Sequence, residues 1–290
     1  MGKKTKRPLV SVIMPIYNGG RFLRLAIESI QNQTLQDFEL ICIDDRSTDG
    51  TYEVMRDYAK EDIRVKVFRN PTKQYLAGSL NWALKLARGK YIARMDADDI
   101  SLPQRLEKQV ALLKKNSCLG AVGGQIEVID EHNQVLGLKE FPVKPKDCYQ
   151  MIMTMMAIQP PVLMARASIF KKVIYDTGIA KHDDIDTHFQ LLKHGSFSNV
   201  DDIIFQYRKL STSYTFSDAK SVYFMALRIR LRALFKYSYR PSFLTLLTSA
   251  IETFVVLILP AKTVVALFEL MRLQSKESII IPAATTATAE

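Results

Sequence analysis

Tyr91-Ile-Ala-Arg-Met-Asp-Ala-Asp-Asp99 is the stretch that decides how this chain is read. Tyr91 to Met95 has the character of a short buried strand, and Asp96, Asp98 and Asp99 follow it at once. Two other runs have the same form. Leu9 to Met14 reads as a strand closed by Pro15, with Asn18 just beyond. Phe38 to Ile43 reads as a strand, and Asp44 and Asp45 come directly after it. In an open α/β sheet the carboxyl ends of the strands border the ligand crevice. Three segments are therefore predicted to deliver polar groups to one edge, and five of those groups are acidic.

Outward from these runs, strands alternate with helical patterns. Phe22, Ala26 and Ile30 recur at helical spacing, and Thr51 to Lys60 forms a second helix. Ile63 to Phe68 alternates apolar and basic residues, the pattern of a strand near a sheet edge. Leu80, Ala83, Leu84 and Ala87 stripe a third helix, with Gly89 placed to end it. Ser101 and Pro103 read as a cap and a first-turn proline for a helix carrying Leu106, Val110 and Leu113. Leu119 to Ile129 returns to strand character, with Gly123-Gly124 read as a bend. Strands alternating with helices imply right-handed crossovers and a mainly parallel sheet flanked by helices.

The 290 residues, 48% of them hydrophobic, suffice for one large domain with an appendage. The net charge of +10 favours an acidic partner: nucleic acid, anionic lipid or a phosphorylated substrate. Cys42, Cys118 and Cys148 are odd in number and far apart, so no disulfide framework is expected and a reducing compartment is the simplest setting. The basic stretch Met1 to Arg7 is followed by an apolar run broken by Pro15, Asn18 and two glycines, which is not the form of a secretory signal.

Five carboxylates in one cleft repel one another unless a positive charge joins them. A divalent cation with oxygen ligands, magnesium or manganese, meets that need and leaves positions for phosphate oxygens. Any single aspartate read alone is equally a turn or cap residue.

The ordered set of motifs resembles the family 2 glycosyltransferases. The matching text is Val10-Ser-Val-Ile-Met-Pro-Ile-Tyr-Asn18, Ser29 to Thr34, Asp44-Asp-Arg-Ser-Thr-Asp-Gly-Thr51, Ala93 to Asp99 and Pro103-Gln-Arg-Leu-Glu107. The resemblance implies a GT-A (Rossmann-like) fold and a nucleotide-sugar donor, commonly a UDP-sugar. It implies that Pro15 and Tyr17 shape the nucleotide pocket beside Asn18, and that Asp45 binds the base. Asp96 and Asp98 correspond to the family's Asp-x-Asp motif for metal and diphosphate, with Asp99 adjacent as a further ligand. Arg94 suits either a phosphate or an ion pair with these aspartates. Counting back from Gly195 in Asp183-Asp-Ile-Asp-Thr-His-Phe-Gln-Leu-Leu-Lys-His-Gly195 places the family's catalytic base at Asp184, with Asp183 where a Glu is usual. Both acids also read as cap residues of the helix they open. Tyr207-Arg208 and Ser211-Thr-Ser213 match a pair that contacts diphosphate or closes a loop. The Gln-x-x-Arg-Trp motif of processive synthases is absent, which points to one sugar added per acceptor.

The implied activity is an inverting transfer to a glycan or lipid-linked acceptor in surface polysaccharide synthesis. Two alternatives compete with it. A sugar-phosphate nucleotidylyltransferase would need a Gly-rich phosphate loop, which is missing near the N-terminus. A basic nucleic-acid-binding protein would need stacking aromatics among its basic residues, and the acidic cleft would repel phosphates, so no nucleic acid is expected. His182, His188 and His194 do not share a helical face, and a local hydrogen bond between His188 and Asp184 is favoured over a zinc pair. Met151, Met153, Met155 and Met156 read as core or acceptor-pocket lining.

The chain is expected to divide at 1–8 (a basic disordered tail), 9–216 (the transferase domain, split into a nucleotide-binding part, 9–130, and an acceptor-binding part, 131–216), 217–281 (a helical extension) and 282–290 (a disordered tail). Phe243 to Ala261 is an apolar stretch interrupted by Glu252 and ended at Pro260, preceded by Arg228, Arg230, Arg232, Lys236 and Arg240. That order suits a helix lying on an anionic leaflet at the cytoplasmic face; a membrane span and an oligomer interface are the other two readings.

Overall fold

A computed structural model describes residues 7–178, 183–210, 219–260, 263–264 and 274–275. Strands β1 (Val10–Ile16), β2 (Phe38–Asp44), β3 (Val65–Arg69) and β4 (Tyr91–Arg94) run parallel in the spatial order β4-β1-β2-β3. Every residue of β1, β2 and β4 is buried. Strands covered on both faces carry apolar residues at successive rather than alternate positions, and the polar pair buried among them is satisfied internally, Ser11 Oγ donating to Glu39 Oε1 at 2.7 Å. In β3 only Val65 is fully buried, as befits the outer strand, and Ile63 lies outside it, 83% exposed.

Helices α1 (Leu23–Gln31), α2 (Thr51–Glu61) and α3 (Tyr75–Leu86) make the crossovers. The chain reverses its direction of travel through the sheet between β1 and β4. Such a switch point opens a crevice beyond the strand ends.

The second half turns partly antiparallel. Strand β5 (Ile100–Ser101) and helix α4 (Arg105–Lys115) lead to β6 (Leu119–Ile129) and β7 (Val135–Lys139). After α5 (Pro145–Met151), strand β8 (Met164–Arg166) inserts between β4 and β6, antiparallel to both. Helices α6 (Ala167–Phe170) and α7 (Asp183–Leu192) then precede β9 (Ser196–Arg208), which runs parallel to β6 and antiparallel to β5. Helices α8 (Ala219–Lys236) and α9 (Phe243–Ile258) and strand β10 (Gln274–Ser275) complete the described chain.

Three local expectations change. Gly89 does not end α3, which stops at Leu86; a Cβ at Gly89 would fall 2.5 Å from the Ser11 amide nitrogen, so close approach of two backbones requires glycine there. Ser101 does not cap α4: it lies in β5 and accepts a bond from Gln33 Nε2 at 3.0 Å, and Pro103 precedes the helix by two positions rather than sitting in its first turn. Gly123 and Gly124 lie inside β6, pressed against Asn199 and Ile204, and the β6–β9 register shifts beside Gly124.

Helix α8 is fastened to the body. Asp186 of α7 accepts from Tyr237 Oη at 2.8 and 2.9 Å and pairs with Lys236 at 3.3 Å, and Arg230 Nε donates to the Ile152 carbonyl at 3.1 Å. Helix α9 spans 16 residues, about 24 Å at helical rise. Its Phe243, Leu244, Leu247, Ile251, Phe254 and Ile258 are exposed. Among the described residues no helix is long and apolar enough to cross a membrane.

Candidate active site

Asn18, Asp44, Asp45 and the Asp96–Asp99 turn follow three neighbouring parallel strands, β1, β2 and β4. The ladder carries on past the strand ends: Asp45 N donates to Ile16 O at 2.8 Å and Met95 N to Ile13 O at 3.0 Å. The polar residues are thus held at one edge.

The acids differ in their surroundings. Asp44 is buried, pairs with Arg69 Nε at 2.8 Å and accepts from Ser47 N at 3.1 Å. Asp45 accepts from Asn70 Nδ2 at 2.7 Å, Gln74 N at 2.6 Å and Tyr75 N at 2.8 Å. It thereby caps the start of α3 from a distant strand, with one lone-pair position left on Oδ2. Tyr17 is 48% exposed, with the Lys73 ammonium 3.2 Å from its ring centroid. Tyr75, also exposed, flanks Lys73 on the other side at 5.6 Å. Asn18 takes a positive φ of 50° and accepts from Thr48 N at 3.0 Å, fixing the turn against the β2 loop. Pro15 is buried in β1.

The acids of the Asp96–Asp99 turn are only partly offset by the arginines around them. Burial, and then the Asp96 charge, push Asp98 up to about 6. Asp99 is raised well above the usual carboxylate range by burial and by Asp98 and Asp96. Its Oδ1 accepts from Arg208 N at 2.8 Å, whereas its Oδ2 is buried with no partner. Arg208 does not point outward: Nε donates to Asp98 O at 2.8 Å and Nη1 to Asp130 O at 2.6 Å, bracing the turn from β9. Tyr207 lies close enough that burial and the charges of Asp99, Asp96 and Asp98 raise its phenol.

Among the described residues no three His, Cys, Asp or Glu side chains converge into a ready-made metal cage. Magnesium-type sites use one or two carboxylates and take phosphate oxygens and water for the rest. Under-compensated acids with one orphaned carboxylate oxygen fit that donor set.

Asp184, in the first turn of α7, pairs with Arg94 Nη1, while Arg94 Nε lies 3.3 Å from Asp96 Oδ1. A residue 90 positions from Arg94 is thus brought to the acid turn. His188 meets Asp184 through its backbone: Nδ1 lies 2.7 Å from Asp184 O and Nε2 3.0 Å from Ile158 O. Burial lowers the His188 pKa. His194 is exposed and away from this group. His182 and Ser211 to Ser213 lie outside the described residues. Met153 is core, and Met151 and Met156 pack against it.

Reading the sequence missed Arg105. It is fully buried under the turn, donates to Arg94 O at 2.6 Å and to Pro161 O at 3.1 Å, and is lowered to about 9 by burial. It provides positive charge beneath Asp99 and Asp96. The signal was present in Pro103-Gln-Arg-Leu-Glu107, but nothing in that text says the arginine points inward.

A Rossmann-like sheet with an acidic turn at its switch point, extended by antiparallel strands, defines a GT-A glycosyltransferase. The glycosyl transferase family 2 profile matches residues 11–178. EpsE of Bacillus subtilis (strain 168), which carries the name of a glycosyltransferase, is 36% identical over 240 residues, covering 77% of this chain and 84% of EpsE. The Escherichia coli UDP-Glc:alpha-D-GlcNAc-diphosphoundecaprenol beta-1,3-glucosyltransferase WfgD is 36% identical over 136 residues, 47% of this chain and 52% of WfgD. Two solved structures share the fold. S. aureus TarS 1–349 in complex with UDP-GlcNAc matches with a TM-score of 0.64 at 19% identity, over 78% of this chain and 66% of that one. The Pyrobaculum calidifontis mannosyltransferase PcManGT in complex with GDP-Man and Mn2+ matches with a TM-score of 0.58 at 18% identity, over 92% of this chain and 86% of that one. The chain belongs to glycosyl transferase family 2.

Proposed function

We propose that the protein transfers one sugar from a UDP-sugar to a glycan or lipid-linked acceptor, with inversion at the anomeric carbon. The observation that carries this reading is the approach of Asp184 to Asp96 across a shared Arg94. It supports a proton acceptor and a diphosphate site on two sides of one reacting centre. Asp184 accepts the proton of the acceptor hydroxyl, whose oxygen attacks opposite the departing diphosphate. Asp45 reads the base through the lone-pair position left on Oδ2, with Pro15, Tyr17 and Asn18 shaping the pocket. Asp96, Asp98 and Asp99 are the residues to hold manganese or magnesium, which would supply positive charge for the leaving diphosphate. The name of WfgD includes both a UDP-linked donor and a diphosphoundecaprenol acceptor, and PcManGT binds Mn2+; both support this reading. A thermal-shift screen of nucleotide sugars tests it. UDP-sugars should raise the melting temperature only with Mn2+ present; a panel with no metal-dependent shift overturns the donor assignment.

The same reading assigns 9–130 to the nucleotide, 131–216 to the acceptor and 217–281 to attachment at the cytoplasmic face of an anionic membrane. The exposed apolar side of α9 supports attachment, as do Arg228, Arg232 and Lys236, exposed at every fourth position of α8. Flotation with vesicles containing phosphatidylglycerol should carry the full chain upward, and Ile251→Glu/Phe254→Glu should leave it at the bottom. Wild-type protein that stays at the bottom and self-associates with concentration would instead make α9 a surface for a second copy.

A further inference from the structure

We infer that Arg94 is the positioning residue of the transfer step: its one guanidinium holds the Asp184 carboxylate at a fixed spacing from the Asp96 carboxylate. This rests on Asp184 being the base, and it adds how the base is kept in register with the donor site.

Arg94 is the last residue of β4, and its side chain is 3% exposed. Its own backbone is held on both sides, with N donating to Leu163 O at 2.9 Å and O accepting from Arg105 Nη2 at 2.6 Å. The guanidinium is therefore a fixed point rather than a mobile arm. It meets Asp96, two residues on in the same turn, and Asp184, on a helix from the other half of the molecule. A planar fork serves two carboxylates at once, which a lysine ammonium does not reproduce at a buried site. With two carboxylates against one positive charge, little of that charge remains for a phosphate. His188 packs behind Asp184, its Nδ1 2.7 Å from Asp184 O and its Nε2 3.0 Å from Ile158 O, and as a neutral imidazole it donates to one of these two carbonyls. The base is tied through its side chain to the donor turn. Displacing a reacting group by an ångström costs on the order of a hundredfold in rate, so a fixed spacing has a direct kinetic value.

Arg94→Lys in the full chain tests the assignment, using the UDP-sugar found by the screen and UDP binding measured by calorimetry with and without Mn2+. The expected result is a fall in kcat of about thirtyfold. The donor KM and the UDP affinity should stay within about twofold of wild type, because the lost function is spacing rather than binding. On an Asp184→Asn background the same change should have little further effect, since the two groups act as one unit. A tenfold loss of UDP affinity with kcat retained would make Arg94 a phosphate ligand and overturn the proposal, and so would unchanged kinetics. Normal turnover in Asp184→Asn alone would remove the base assignment, whatever Arg94→Lys does. If Arg94→Lys does not fold, Arg94→Gln, which keeps a donor for one of the two carboxylates only, reports on the same spacing. A fall in kcat at unchanged UDP affinity supports it, and an unchanged kcat contradicts it.

Discussion

Two groups of aspartates sit at the same sheet edge and are treated in opposite ways. Asp45 is buried and well supplied by Asn70, Gln74 and Tyr75, and buried Asp44 has the Arg69 charge and the Ser47 amide, although its Oδ2 makes the ion pair without an aligned hydrogen bond. Asp99 is also buried and Asp98 half-buried, yet Asp98 is pushed up to about 6 and Asp99 keeps an oxygen with no hydrogen-bond partner. Burial of a carboxylate costs stability unless donors or cations offset it. The first group meets that cost within the chain and so holds the fold together. The second leaves it partly unmet despite Arg94, Arg105 and Arg208, which is the condition for recruiting a further charge from outside. Residue type and position in the sequence are alike for both; only the neighbours separate acids satisfied mainly from within the chain, of which Asp45 keeps one open lone-pair position, from acids held ready for a cation.

The comparison can be broken at several points. The largest effect should come from the acid outside both groups. Asp184→Asn is expected to lower kcat by about a thousandfold while UDP affinity holds, measured by turnover and calorimetry. Asp45→Ala should destabilise the protein by about 3–4 kcal/mol in urea unfolding, because two backbone amides at the start of α3 and the Asn70 amide lose their acceptor.

Asp98→Asn should act in the opposite direction on stability. In the folded protein Asp98 takes up its proton near pH 6, whereas the unfolded chain does so near the ordinary carboxylate value of 3.8. The folded state therefore binds the proton more tightly, and ionised Asp98 destabilises it above pH 6. The amide variant is expected to be more stable by about 3 kcal/mol at pH 7.5 without metal, with the advantage shrinking as pH falls from 6 towards 4. The same variant should lose metal-dependent nucleotide binding. A variant no more stable than wild type at pH 7.5 would remove the distinction between the two acid groups. The smallest effect belongs to the tie between α7 and α8: Tyr237→Phe should cost about 1 kcal/mol of stability, since Asp186 keeps Lys236 and Gln190.

Much of the fold was legible because its strands are short apolar runs ending in polar turns, and local text of that kind survives folding unchanged. Strand β8 was not: three residues, Met164–Arg166, carry no periodicity, and their strand state comes from neighbours on both sides. Gly89 and the Gly123-Gly124 pair were legible as special positions but not for the right reason, because the contact that requires glycine comes from a remote segment.

The sequence by itself determined the alternation of strand and helix, the family, and which carboxylates follow which strands. Those properties depend on residues near one another in the chain. The tertiary structure decided which acids are satisfied, that Arg208 and Arg105 point inward to brace the acid turn, and that Asp184 shares Arg94 with Asp96. Each of these depends on a charge or donor supplied by a distant segment in a buried place, where a single partner gained or lost outweighs any local preference.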